Sequence, residues 1–72
     1  MSKDMREALS ETIRIAAMGK ITDGKARAIR EAWLDYASGA KSMADMAERR
    51  KTMFAFLERS GVPRGVVFSP ID

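Results

Sequence analysis

Three glycines, Gly19, Gly39 and Gly61, each close a stretch in which apolar residues recur at helical spacing. Glycine adopts the left-handed backbone of a helix exit without steric cost, so it is common just past a helix end. That punctuation predicts three helices, near 4–18, 23–38 and 42–60. Each also has a start signal. Ser2 or Asp4 precedes the first, Thr22 or Asp23 the second, and Ser42 the third. Their side-chain oxygens accept hydrogen bonds from the free N–H groups of a first turn. Asp45 stands where a capping-box acid would, and Ile21 is placed to pack back as a staple.

The apolar arcs follow from about 100° of rotation per residue. In the first helix Met5, Ala8, Leu9, Thr12, Ile13, Ile15 and Ala16 share an arc, with Met18 beyond its edge. In the second, Ala26, Ile29, Trp33, Tyr36 and Ala37 share a face, with Leu34 at its margin. In the third, the arc is Met43, Met46, Ala47, Met53, Phe54 and Leu57. Arg50 falls inside that arc, and Phe56 points away from it. Burying an arginine without a partner costs too much. Its stem must therefore run along apolar side chains to water, or its face must meet a carboxylate or phosphate. Phe56 needs cover either from the chain's own tail around Val66–Phe68 or from a second subunit.

Ser60-Gly61-Val62-Pro63 ends the third helix. Val66-Val67-Phe68 has strand propensity, but a lone strand of that length needs a partner or a groove. An extended arm over 62–72, fenced by Pro63 and Pro70, is the expectation. The fold class is thus all-α: a three-helix bundle-like single domain over residues 1–72 with a short extended C-terminal arm. With 72 residues, such a domain buries only about 60% of the surface its unfolded chain exposes. There is no cysteine to staple it. Association of copies is a common remedy at this size, and a homodimer is expected.

Several function classes lack their chemistry. The chain has neither histidine nor cysteine, the residues on which metal and nucleophilic catalysis usually draw. Its carboxylates are scattered along polar faces. No enzyme activity, catalytic residue or metal site is expected. Gly19-Lys20 and Gly24-Lys25 lack the spacing and preceding strand of a phosphate loop, so no small-molecule cofactor is expected. No apolar run has the length of a signal or a membrane span. A cytoplasmic protein that does not enter membranes is the expectation.

What remains is binding. Thirteen basic and ten acidic residues give a formal charge of +3, which permits an anionic partner. The densest positive run is Arg49-Arg50-Lys51, with Lys41 before it and Arg59 after it. These five are candidates for contacts with nucleic-acid phosphates. Residues 21–61 resemble a helix-turn-helix arrangement. Ser42-Met43-Ala44-Asp45-Met46-Ala47 is similar to the opening of that motif in many regulators, and Lys51-Thr52-Met53-Phe54-Ala55-Phe56-Leu57 resembles the opening of a recognition helix. The motif requires a turn between the two. Glu48-Arg49-Arg50-Lys51 contains no breaker and reads as continuous helix.

Trp33, Tyr36, Met53, Phe56 and Phe68 are candidates for a partner interface, because aromatic and methionine side chains anchor and adapt to such surfaces. Two functions are therefore expected in order. The first is a small non-enzymatic regulator, of transcription for example, that binds double-stranded DNA as a dimer through a basic helical face. The alternative is an adaptor or inhibitor that docks a helical apolar face on a partner protein, including one with an acidic surface.

Overall fold

A computed structural model describes residues 4–68. Three helices pack together: α1, Met5–Ala16; α2, Asp23–Ala37; and α3, Met43–Ser60. A short 3-10 turn, Arg64–Val66, follows. Among the described residues there is no strand, and no helix is long and apolar enough to cross a membrane. The helices fall within two residues of the limits read from spacing and caps.

Two caps form as their residue types dictate. The Thr22 hydroxyl accepts from the Lys25 N–H at 3.2 Å, and the Ser42 hydroxyl from the Asp45 N–H at 3.0 Å. Asp45 reaches back one residue further than a capping box requires, accepting from the Lys41 N–H at 3.0 Å. Asp4 occupies the N-cap of α1, but its side chain makes no capping bond. Gly61 ends α3 in the left-handed region at φ 73°, and the next N–H, of Val62, closes onto the Leu57 carbonyl at 2.9 Å. Gly19 is left-handed as well. Gly39 is not, so the reason for a glycine there differs from the expected one.

The core is Leu9, Ile13 and Ala16 from α1, Ile29, Trp33, Tyr36 and Ala37 from α2, and Met53 and Leu57 from α3, closed by Val62. Leu9, Ile13, Ile29, Met53 and Leu57 lose all their exposure. Each such side chain contributes roughly 1.5–3 kcal/mol of burial. A short link turns α2 back along α1, and these two form the most extensive helix pair. In α3 nothing before Met53 is buried. In its first half only Met46 packs against the core and Arg49 turns toward α2, while Met43, Ala44, Ala47, Glu48 and Arg50 are exposed.

Several apolar residues leave the expected arcs. Ile15 is 53% exposed and Met43 is 90% exposed. Ile15 lies on the edge of the α1 arc, and Met43 stands at the first position of α3. Leu34 and Met18 are also exposed. The tail up to Phe68 is not an extended arm. The Val67 and Phe68 N–H groups both turn back onto the Arg64 carbonyl, at 3.0 and 2.8 Å, which coils this segment against the helices. The rest of the expected arm, Ser69 to Asp72, lies outside the described residues.

Candidate nucleic-acid interface

The basic run divides because neighbouring residues on a helix point about 100° apart. Arg49 turns inward. Its Nη1 donates to the Tyr36 carbonyl at 2.6 Å, its guanidinium lies 4.7 Å from the Tyr36 ring centroid, and its Nε is 3.6 Å from Asp45 Oδ1. It thus ties α3 to the C-terminal end of α2, where a cation complements the exposed carbonyls. Gly39 makes room for this tie. A Cβ there would stand 3.1 Å from Arg49 Nη1.

Arg50 turns outward and is exposed. Its guanidinium carbon lies 5.9 Å from the Phe54 centroid and 5.8 Å from that of Phe68. The stem therefore follows apolar surface while the charge stays in water, the first of the two arrangements open to it. Phe68 is held by edge-on contacts with Trp33 at 5.5 Å and Phe54 at 5.1 Å. On the other side of this cluster Arg64 stacks over Phe54 at 4.2 Å. Arg30 reaches from α2 to the Val66 carbonyl, at 3.1 Å, and holds the turn in place.

Lys51 is exposed and borders a shallow depression with Ala44, Ala47, Glu48, Arg50 and Phe54. Among the described residues Arg50, Lys51 and Arg64 form no ion pair. Two of these cations are carried on aromatic faces, an attraction of about 0.5–1 kcal/mol each at exposed sites. That contact orients the guanidinium and leaves its N–H edges free to donate. Arg50, Lys51 and Arg64 therefore form an outward cationic margin along α3 and the turn, with the Phe54–Phe68 pair beneath.

The other candidates fall elsewhere. Lys41 is exposed in the link before α3. Arg59 lies on the α1 side, in a cleft with Ser10, Arg14, Phe56 and Ser60, away from Arg50 and Arg64. Arg49 is committed to the fold. Arg30 and Arg64 were not singled out by sequence. Only the return of the tail onto α2 and α3 brings them to the patch.

The expected partner-interface residues largely face the protein itself. Met53 is fully buried, and Trp33 and Tyr36 are 8% exposed. Phe68 is half-buried between Trp33 and Phe54. Phe56 is half-buried against the core beside Ser10 of α1, so the helix covers it, and the ring that meets Phe68 is Phe54. Helix α3 also runs unbroken through Glu48–Lys51, so the turn that the helix-turn-helix motif requires inside it does not form. Comparison with protein-family models, curated proteins and solved structures yields no match.

Proposed function

We propose that this protein is a small non-enzymatic regulator that binds double-stranded DNA through phosphate contacts from Arg50, Lys51 and Arg64. The observation that supports this reading most directly is the set of three cations that form no ion pair among the described residues, on one exposed side of α3 and its following turn, two of them held over aromatic rings. Phosphate oxygens suit the planar N–H edges of a guanidinium, and most hydrogen bonds in protein–DNA interfaces go to phosphate and sugar. Small alanines at 44 and 47 border those cations on the outer side of α3 and let a duplex approach closely, with Glu48 the one carboxylate beside them. Association of copies belongs to the same reading, since the core is thin.

Three phosphate contacts give a log–log salt slope of about −2.7, so affinity falls roughly 40-fold between about 50 and 200 mM salt. Fluorescence anisotropy with a labelled duplex reads this directly. Loss of that slope in the triple variant R50A/K51A/R64A, with the helical content kept, is the expected result. Wild-type protein that fails to bind duplex at low salt overturns the reading.

A second reading, docking on a partner protein, is favoured by Met43, which is 90% exposed at the start of α3. Binding that survives high salt and is lost in Met43→Ser would support it over the first.

A further inference from the structure

The face of α1 and α2 away from α3 carries an open groove of about 310 Å³. That is at the floor of the range for small-molecule sites, and its openness suits protruding side chains better than an enclosed ligand. Met5, Ala8, Ala28 and Ala32 give it an apolar floor, and Glu31 and Asp35 stand exposed at its rim. Four residues apart on one helix, these carboxylates repel each other, and among the described residues neither forms an ion pair. The C-terminal carbonyls of α2 add negative potential at the same end. An occupant of this groove must be both apolar and cationic.

The outer side of α3 has that character. Ala44, Ala47 and Phe54 are its apolar elements, and Arg50 and Lys51 its charges, against the single carboxylate of Glu48. We propose that a second copy of this chain docks the outer face of α3 into the α1–α2 groove of the first, with Arg50 and Lys51 set against Glu31 and Asp35. Two grooves facing each other would oppose like charges, and the groove lies on the face away from α3, so one contact cannot hold both reciprocal pairings; the contact is head-to-tail and not a two-fold dimer. Each copy keeps a free groove and a free α3 face, so association continues with concentration. Because Arg50 and Lys51 also serve the proposed DNA contact, self-association and duplex binding compete for them. That competition alone rests on the DNA reading.

Charge reversal tests the pairing. E31R/D35R has a basic groove and a basic α3 face, and R50E/K51E has an acidic groove and an acidic face. Sedimentation equilibrium at low salt should show wild type rising above its monomer mass of 8.0 kDa with concentration. Each variant alone should associate roughly tenfold or more weakly. An equimolar mixture of the two should regain association, because the reversed groove of one then meets the reversed face of the other. Monomeric wild type at all concentrations overturns the proposal. So does undiminished association of either variant, or a mixture that behaves as the sum of its parts. E31R/D35R should still bind duplex, so failure of the assembly and failure of the DNA reading give different results.

Discussion

Replacing Arg49 by alanine separates structural from ligand-facing charge within the basic run. In the wild type its Nη1 donates to the Tyr36 carbonyl at 2.6 Å. A hydrogen bond with a charged donor contributes about 1.5–3 kcal/mol. The Tyr36 carbonyl also accepts from the Gly39 N–H at 3.3 Å, so it keeps a partner in the variant, and the lower half of that range applies. The ring contact with Tyr36, at 4.7 Å, adds about 0.5–1 kcal/mol. The ion pair with Asp45 is partly exposed, at 25% and 36% for the two side chains, and adds at most a few tenths after solvent screening. The sum is about 2–3 kcal/mol. For a domain of this size 1 kcal/mol shifts Tm by roughly 4–8 °C, so R49A should melt about 8–24 °C lower. Circular dichroism on heating measures it. R50A, whose charge stands in water, should shift Tm by no more than a few degrees. Equal melting of R49A and wild type, with duplex binding weakened in R49A as much as in R50A, would refute the inward assignment of Arg49.

Two further outcomes follow from the same contacts. Gly61→Ala places a Cβ at φ 73° and should cost about 1–2 kcal/mol, read as a lower urea midpoint with unchanged slope. Phe68→Ala removes two edge-on ring contacts, each contributing about 0.5–1.5 kcal/mol beyond area. It should uncover Trp33 and shift its fluorescence to longer wavelength, and an unchanged spectrum would show that Phe68 does not cover that ring.

The helices were legible because glycine exits, hydroxyl caps and apolar spacing agree. Gly19 and Gly61, Thr22 and Ser42, and the pairs Leu9–Ile13 and Met53–Leu57 all say the same thing locally. What was not legible depends on which face meets which neighbour. Arg49 and Arg50 differ by one position, and only the position of the α2 C-terminus makes the first a tie and the second a free cation. Phe54 and Phe56 divide in the same way: α1 covers Phe56 and the returning tail reaches Phe54. Gly39 does follow the end of α2, but without a left-handed backbone, and its lack of a side chain serves Arg49. Arg64 and Arg30 lie far apart in sequence, and no local pattern joins them. The tail reads as β-prone from Val66, Val67 and Phe68, but one short segment with no strand to pair with coils back onto its own carbonyls.

The salt dependence of duplex binding in single variants separates the cations of the outward margin from those that fall elsewhere. Arg50→Ala, Lys51→Ala and Arg64→Ala should each reduce the magnitude of the log–log slope by about 0.9, while Arg59→Ala leaves it unchanged. Equal losses from all four, or a loss from Arg59 alone, would contradict that separation.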